Sequence, residues 1–322
     1  MNNFWSKLKR PIFVLAPMAD GTDAAYRRII AKYGKPDVMW TEFVSADGLA
    51  LAPEAGQRKL LKNLEYSETE RPIVAQFFTA SPKHMEKAAE LAAGLGFDGI
   101  DINMGCPDRS VEKQGAGASL MKNVVLAREL VRAAKEGAPN LPVSVKTRTG
   151  YGKPDLENWL PEILKEDPAI VTVHARTRKE MSKAPAQWEF VRRAVEIRNQ
   201  CQDDILTKTL IVGNGDVKDL EEARIRVGET GCDGVMLGRA IFGNPWLFAE
   251  RAPTKEERLR VLVEHAKTFE KLLGEYKSFS VMKKHFKAYI TGFENAAELR
   301  AKLMEISNAN EVDKIVSAIL TS

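Results

Sequence analysis

The chain has 322 residues, of which 44% are hydrophobic and 29% are charged, and its formal net charge is +4 at pH 7. This length is sufficient for one large domain and a smaller one around a substantial buried core. The three widely spaced cysteines exclude a disulfide framework and a zinc-binding spacing, and no apolar segment is long enough to span a bilayer. We therefore expect a cytoplasmic monomer without membrane contact or metal, and its mildly basic character permits an acidic partner.

Short apolar segments, often β-branched, alternate with amphipathic segments along the first part of the chain, a pattern that predicts strands and helices in turn. The predicted strands are residues 12–16, 38–43, 73–78, 99–104, 142–147, 170–175, 210–215 and 234–239. The predicted helices between them are residues 22–33, 82–95, 123–136, 155–166, 186–200 and 219–227.

Eight strands that alternate with helices indicate an α/β fold of the (β/α)8 barrel type. The competing architecture, a doubly wound open sheet, would need a G-x-G-x-x-G turn after its first strand. The residues at that place, 16–21, read Ala-Pro-Met-Ala-Asp-Gly instead. The barrel is therefore the favoured fold.

The pattern changes after Pro253, since no strand-like segment follows it. The predicted helices of this part are residues 255–273, 280–291, 296–306 and 311–320. Their expected N-caps are Thr254, Asn295 and Asn310, because short polar side chains of these types cap helices.

Residues 251–322 contain more basic than acidic side chains, and no acidic residue lies between Tyr276 and Phe293. We therefore predict two domains. A (β/α)8 barrel covers residues 1–250, and a small C-terminal all-helical domain that offers a basic surface covers residues 251–322.

Reactive residues of a (β/α)8 barrel gather at the C-terminal ends of its strands. The predicted strand ends all carry polar, small or basic residues, namely Pro17, Met18, Glu42, Gln76, Asn103, Cys106, Lys146, Arg148, His174, Arg176, Asn214, Asp216, Gly238 and Arg239. Strands also end in water, so one polar residue there would mean little, but eight such ends together favour a functional site.

The ends of the seventh and eighth predicted strands have the character of a phosphate site. Small residues in the segment 213–216 and at Gly238 allow backbone N–H groups to approach a phosphate, and Arg239 adds positive charge. Lys146 and His174 are candidates for stabilising the negative charge of a reduced flavin ring, and Gln76 is a candidate hydrogen-bond partner of its polar edge. The alternatives are a buried ion pair for Lys146 and an ordinary core histidine for His174.

Cys106 lies between Gly105 and Pro107, where a predicted strand becomes a loop. One interpretation is a small buried hydrophobic residue, since free cysteines are often buried. The flanking glycine and proline disfavour a regular core position. A thiol with a pKa of about 8.5 is mostly protonated at neutral pH, so Cys106 is a candidate proton donor.

Several motifs occur together in a characteristic order. They are Ala16-Pro17-Met18, Asn103-Met104-Gly105-Cys106-Pro107, Lys146-Thr147-Arg148-Thr149-Gly150, His174-Ala175-Arg176-Thr177-Arg178, Asn214-Gly215-Asp216, Gly238-Arg239, Gly243-Asn244-Pro245-Trp246 and Lys284-His285-Phe286-Lys287-Ala288-Tyr289. In this set the chain resembles the tRNA-dihydrouridine synthases over nearly its whole length, and the bacterial B-type branch most closely.

The resemblance implies an NAD(P)+-linked oxidoreductase that reduces the C5=C6 bond of a D-loop uridine in tRNA. It implies bound FMN, with NADPH as the electron donor. Hydride from reduced FMN adds to C6, and Cys106 delivers the proton to C5. The residues expected to bind the cofactor are Pro17, Met18, Gln76, Lys146, His174, Asn214, Gly215, Asp216, Gly238 and Arg239.

Asn103 and Arg148 match positions that hold the uracil edge in the family. The target base must leave the RNA stack, and basic contacts to the tRNA backbone can offset that cost. The expected backbone contacts are Arg176, Arg178, Lys283, Lys284 and Lys287. A solvated helix face is the alternative interpretation of the three lysines.

The chain departs from the family in one segment. Where the family has a Gly-Tyr pair and a further glycine before the tryptophan, this chain has Met181, Ser182 and Ala184 before Trp188.

Two other functions fit parts of the pattern. A dihydroorotate dehydrogenase-like FMN enzyme would share the barrel, but it would not need a basic helical region. A non-catalytic RNA-binding barrel would not need the candidate site residues Cys106, Lys146 and His174.

Overall fold

The computed structural model describes residues 3–202 and 209–321. Apolar, largely β-branched segments form the parallel strands of its sheet. They are β1 (Ile12–Leu15), β2 (Met39–Trp40), β3 (Val44–Ser45), β4 (Ile73–Phe78), β5 (Gly99–Met104), β6 (Val143–Arg148), β7 (Ile170–His174), β8 (Leu210–Asn214) and β9 (Gly234–Leu237).

The strands follow one another in the order β1-β9-β8-β7-β6-β5-β4-β2, and β3 also pairs with β4. A parallel bridge between Val14 and Val38 joins β1 to the segment that leads into β2, which brings the two ends of the sheet together. The predicted (β/α)8 barrel is confirmed.

The second predicted strand, 38–43, is interrupted in the structure. Only Met39–Trp40 of it forms a strand, β2, and a further short strand, β3, follows just beyond it at Val44–Ser45. Both pair with β4, so they share one position in the barrel. Between them, the Thr41 hydroxyl accepts the backbone N–H of Gln76 at 3.1 Å. The Thr41 side chain thus accepts an N–H group of β4 that a backbone carbonyl would accept in a continuous strand.

Helices cover the outside of the sheet, and most begin at a side-chain cap. They are α1 (Ala24–Tyr33), α2 (Ala46–Leu51), α3 (Glu54–Asn63), α4 (Pro82–Gly94), α5 (Arg109–Glu112), α6 (Val124–Gly137), α7 (Leu156–Leu164), α8 (Glu189–Cys201) and α9 (Leu220–Thr230). Helices α2, α3 and α5 were not predicted from the sequence. Ser45 caps α2 through the N–H of Gly48, and Pro53 precedes α3.

Apolar residues close the N-terminal end of the barrel. The Trp5 and Trp40 rings lie 5.7 Å apart there, within a cluster that includes Val74, Val212 and Met236. Because this end is filled by hydrophobic side chains, polar side chains inside the barrel are concentrated at the opposite end. That is the end where the strands terminate and the candidate site lies.

The region after Ala249, which we call the helical tail (residues 251–321), contains α10 (Lys255–Leu273), α11 (Met282–Tyr289), α12 (Ala296–Glu305) and α13 (Ala309–Leu320). Thr254 caps α10 in a reciprocal capping box with Glu257. The expected cap Asn310 is wrong, because Asn308 caps α13 by accepting the N–H of Glu311. The predicted domain boundary at residue 250 stays a prediction.

The helical tail is joined to the barrel by packing and by charge. Helix α10 packs against α1, and the ring of His265 stacks on Tyr26 at 4.6 Å. Lys277 forms ion pairs with Asp20 at 3.0 Å and Glu42 at 2.8 Å. The side chains of Lys277 and Glu42 are only 15% and 5% exposed, so this pair is largely shielded from water.

Within residues 3–202 and 209–321, every helix is too short or too polar to cross a bilayer.

Two buried histidines at the joint predict a loss of stability at acidic pH. Burial lowers the pKa of His285 to about 3 and that of His265 well below its usual value. In the part of the chain that the structure describes, neither ring nitrogen of His265 has a hydrogen-bond partner. The unfolded chain binds protons near pH 6.5 whereas the folded joint does not, so acid favours unfolding.

We expect each histidine to cost about 1 kcal/mol of unfolding free energy between pH 6.5 and pH 5.5. Urea denaturation of the wild type and of a His265→Phe/His285→Phe variant at both pH values measures this. The difference between the two proteins isolates the histidines from other titrating groups, such as Asp23. Equal pH dependence in the two proteins would contradict the assignment.

Candidate active site

The parallel register aligns the polar residues near the C-terminal ends of neighbouring strands. Asn103 of β5 lies beside Lys146 of β6. Arg148 of β6 lies beside His174 of β7, which in turn lies beside Asn214 of β8. The strand ends therefore form one continuous polar surface, as the sequence predicted.

A cavity of about 650 Å³ opens above these strand ends, a volume typical of small-molecule and cofactor sites. Nine of the predicted cofactor residues line it, namely Pro17, Met18, Lys146, His174, Asn214, Gly215, Asp216, Gly238 and Arg239. The tenth, Gln76, is fully buried and is not among the lining residues. Arg176, Ser182 and Lys218 also line the cavity, and none of the three was expected from the sequence to bind the cofactor.

The Asp216 carboxylate organises the charged wall of the cavity. It forms an ion pair with Arg176 and another with Arg239, whose Nη2 lies 2.7 Å from Oδ1. It also accepts the N–H of Ala186 at 3.0 Å. Burial opposes ionisation, yet the Ala186 N–H and the arginines hold the pKa of Asp216 below its usual value.

Arg176 does not stand free at the barrel mouth, where the sequence analysis expected it to contact an RNA backbone. Only 3% of the residue is exposed. Its Nε donates to the carbonyl oxygen of Ala184 at 2.6 Å, and its Nη1 lies 3.3 Å from Nε2 of His174. The structure therefore places Arg176 in the cavity wall.

His174 is neutral in this environment. Burial, followed by the charges of Lys146, Arg148 and two further arginines, lowers the pKa of His174 well below its usual value. Since Arg176 can only donate, Nε2 of His174 accepts, which leaves the proton on Nδ1. The ring therefore adds a hydrogen-bonding group to the cavity without adding charge.

Lys146 lies between the cavity and the loop that carries Cys106. Its Nζ is 3.3 Å from Oδ1 of Asn214. Burial and the nearby Arg148 lower the pKa of Lys146 to about 8. A lysine with such a pKa responds strongly to an added negative charge, because that charge would favour its protonated form.

The donor set fits an anionic cofactor. Arg176 and Arg239 share one carboxylate, Asp216, and Lys146 and Lys218 line the same cavity, so the wall keeps excess positive charge. The backbone also turns tightly here, since Gly215 has a φ of 134° and a Cβ at that position would lie 2.8 Å from Cβ of Ala186. A phosphate group would neutralise this charge.

The Asn103 side chain shapes the loop that carries Cys106. Its Oδ1 accepts the backbone N–H groups of Gly105 at 3.1 Å and Cys106 at 2.9 Å. Its Nδ2 donates to Gln76, which donates in turn to Asp101 at 2.5 Å. Asn103 and Gln76, each predicted to contact a ligand, are therefore also parts of a buried network that positions the loop.

Gly117 holds the other side of the same loop. It has a φ of 61°, and a Cβ at this position would lie 2.7 Å from the carbonyl oxygen of Cys106. That carbonyl accepts the N–H of Ala118 at 2.9 Å. Only glycine fits such a close approach at this φ, so the position of Cys106 depends on Gly117 as well as on Asn103.

The Cys106 thiol is half-buried beside an apolar cluster of Phe78, Val111 and Ala116. Burial raises the pKa of Cys106, while Arg148 and Lys146 act in the opposite direction. The thiol is therefore protonated at neutral pH, which a proton donor requires.

Arg148 links the Cys106 loop to the segment that departs from the family pattern. Its guanidinium donates to the carbonyl oxygens of Gly105 at 2.7 Å, Thr177 at 3.1 Å and Met181 at 3.0 Å. Met181 has a φ of 57°, which places it in the left-handed region. The altered segment thus supplies backbone acceptors to site residues.

The remaining predicted contact residues lie at different depths. Arg178 is paired with Glu112 of α5 and is partly exposed. Lys284 and Lys287 of α11 are exposed, whereas Lys283 is half-buried. The pairing of Lys277 with the barrel was not expected from the sequence. The only sequence feature that pointed to it was the absence of acidic residues around Lys277 in its own segment.

Among the described residues, no group of His, Cys, Asp and Glu side chains could hold a metal ion.

Comparison with known proteins gives a consistent family. The sequence model of the family described as Dihydrouridine synthase (Dus) matches residues 14–322. A protein of Staphylococcus aureus (strain COL) named "Probable tRNA-dihydrouridine synthase" is 39% identical over 313 residues, which cover 96% of this chain and 93% of the relative. "Probable tRNA-dihydrouridine synthase 2" of Bacillus subtilis (strain 168) is 40% identical over 316 residues, with 96% and 94% covered.

Solved structures agree with the barrel fold. Morphinone reductase superposes with a TM-score of 0.54 at 13% identity and covers 76% of this chain and 86% of its own. Histamine dehydrogenase from Rhizobium sp. 4-9 superposes with a TM-score of 0.52 at 14% identity, with 80% and 48% covered. At these identities the likeness concerns the fold alone.

The Asn103 network predicts how firmly Cys106 is held. In an Asn103→Ala variant the N–H groups of Gly105 and Cys106 lose their acceptor, so we expect a stability loss of about 1–3 kcal/mol and severalfold faster alkylation of Cys106. Iodoacetamide labelling at pH 7.5 in a Cys201→Ser background, followed by mass spectrometry, measures this rate.

Asn308→Ala is the matched control, because Asn308 also accepts a backbone N–H but lies in the helical tail. Unchanged Cys106 labelling in Asn103→Ala, or an equal increase in the control, would mean that Asn103 does not hold the loop.

Proposed function

This chain belongs to the dihydrouridine synthase family, and from that premise we propose that it reduces the C5=C6 bond of a D-loop uridine in tRNA, with FMN bound above the strand ends. The observation that carries the proposal is a cationic cavity whose lining residue Lys146 lies beside Asn103, the residue that holds the Cys106 loop. The cavity supports a phosphate-bearing cofactor, and Cys106 supports addition of a proton to a substrate beside it. The family model extends through the helical tail, which disfavours the small-molecule alternative.

We assign the phosphate of FMN to the wall formed by Arg239, Lys218 and Gly238. Lys146 and His174 lie deeper, at the strand ends, where we place the ring system. Lys146 would stabilise negative charge on the reduced ring, and the neutral His174 would hydrogen-bond to it. Arg176 would act through Asp216 and His174, which it positions.

When bound, reduced FMN supplies two electrons and one hydrogen to C6 of the uracil. Negative charge then develops at C5 and on the conjugated C4 oxygen. Cys106 gives its proton to C5, and Lys146 and Arg148 lie close enough to lower the cost of the thiolate that remains. Asn103 keeps a second amide hydrogen for the uracil edge, since Gln76 takes one of the two.

We propose that exposed lysines of α11 contact the tRNA backbone. Lys284 and Lys287 are exposed, and Lys283 is half-buried on the same helix. Arg178 is a further candidate at the barrel mouth, where it is paired with Glu112. Such contacts would offset the cost of extracting the base from the RNA stack. We also propose NADPH as the electron donor, on the family resemblance, a cytoplasmic location, on the cysteine usage, and a monomeric state.

The cofactor assignment predicts a yellow protein whose apo form takes up FMN. Arg239→Ala should weaken FMN binding about tenfold while leaving riboflavin binding nearly unchanged, because only the phosphate loses its partner. Titration of the apo protein followed by flavin fluorescence measures both affinities.

Arg224→Ala is the control, since Arg224 is also an exposed arginine that pairs with a carboxylate, Glu250, but lies outside the cavity. A protein that cannot take up FMN, or an Arg239→Ala variant with unchanged preference for FMN over riboflavin, would contradict the assignment.

The proton-donor assignment predicts that Cys106→Ala keeps the flavin spectrum and its reduction by NADPH but forms dihydrouridine at least 100-fold more slowly. Single-turnover reduction of tRNA, with dihydrouridine measured by mass spectrometry, gives the rate. Cys201→Ala, which removes the exposed cysteine, should match the wild type. Normal turnover in Cys106→Ala would remove the role of the thiol.

A further inference from the structure

A second cavity lies beside the mouth of the barrel and outside the cofactor site. Its volume is about 320 Å³, and residues 150–153, which follow β6, form one side of it. Met121, Asp155 and Trp159 also line it. The Trp159 indole N–H donates to the Thr147 hydroxyl at 3.1 Å, so this ring is fixed as part of the wall. This volume suits one group of moderate size.

Two cations lie over an aromatic ring of this cavity, and one of them, Arg178, is paired with Glu112. Nζ of Lys122 lies 3.7 Å from the centre of the Tyr151 ring, and Cζ of Arg178 lies 5.4 Å from it. Lys122 and Lys153 are exposed, and Tyr151 is half-buried. A half-buried tyrosine among exposed cations is the combination that binds an unpaired nucleotide, with its base on the ring and its phosphate on the cations.

The cavity is tied to the loop that carries the thiol. Lys122 ends the short 3-10 helix Gly117–Lys122, whose Ala118 N–H donates to the Cys106 carbonyl. On the other side, the Arg178 N–H donates to the carbonyl of Gly150 at 2.8 Å. A group bound at Tyr151 would therefore lie at a fixed distance from Cys106.

We propose that this cavity is a subsite for the unpaired nucleotide next to the uridine that is reduced. The proposal rests on the proposed function and adds a second contact to it. The base takes the face of Tyr151 that the exposed Lys122 side chain now covers, and Lys122 and Lys153 contact the adjoining phosphates. Occupation of the subsite holds the neighbouring nucleotide out of the stack, so that the target uridine stays extracted above the cofactor.

The first test separates the aromatic ring from its hydroxyl. Tyr151→Ala in the holoenzyme should raise KM for tRNA about tenfold, with flavin absorbance and NADPH oxidation unchanged, whereas Tyr151→Phe should stay within twofold of the wild type. A KM within twofold of wild type in Tyr151→Ala would overturn the subsite. Equal losses in both variants would also overturn it, since stacking needs only the ring.

The second test does not depend on catalysis or on the folding of the tyrosine variants. Binding of the single-stranded RNA pentauridylate to the holoenzyme is measured by fluorescence anisotropy at several salt concentrations. Lys122→Ala should lower the slope of log affinity against log salt by about 0.7, the value for one contact to a single-stranded phosphate. Lys87→Ala, an exposed lysine on the outer helix α4, should leave the slope unchanged.

Failure of the subsite and failure of the proposed function give different results in these experiments. A wild-type enzyme that binds pentauridylate with this salt dependence but does not reduce tRNA would leave the subsite intact and remove the reaction. A wild-type enzyme that reduces tRNA, with Lys122→Ala and Lys87→Ala giving equal slopes, would remove the subsite alone.

Discussion

The shared carboxylate of Asp216 is the interaction on which the candidate site depends. Without it, Arg176 and Arg239 would repel one another and the nearby Lys146 in a partly buried space. With it, two arginines are fixed by one acid, and His174 remains neutral beside them. The site keeps a net positive charge that is ordered before any ligand arrives. Preorganised charge of this kind is worth more than flexible charge, because no reorganisation is needed on binding.

A second set of constraints fixes the thiol. Asn103 holds the start of the Cys106 loop through two backbone N–H groups, and Gly117 allows the chain to pass close to the Cys106 carbonyl. Arg148 adds a third support through Gly105. Asn103 and Arg148, which the family resemblance places against the uracil, therefore also stabilise the loop. Their substitution would change the geometry of the loop as well as any direct contact.

The sequence predicted the barrel and most of the cavity wall, because strand periodicity and the common edge of parallel strands are local properties. It did not predict that Arg176 is buried, since the partners that hold it, Asp216 and the Ala184 carbonyl, come from loops that meet only in the folded chain. Helix α2 was missed because it is short and carries few buried residues. Asn308 and Asn310 offer the same capping chemistry two residues apart, so only the backbone geometry distinguishes them.

The pairing of Lys277 with Asp20 and Glu42, together with the packing of α10 on α1, fastens the helical tail to the barrel. Its consequence is geometric. The distance from the exposed lysines of α11 to the Cys106 sulfur is therefore set by the protein and not by the bound macromolecule. A macromolecule that contacts both α11 and Cys106 must itself be flexible enough to fit this distance. Discrimination among similar macromolecules would then depend on how far each one can bend, and less on its base sequence.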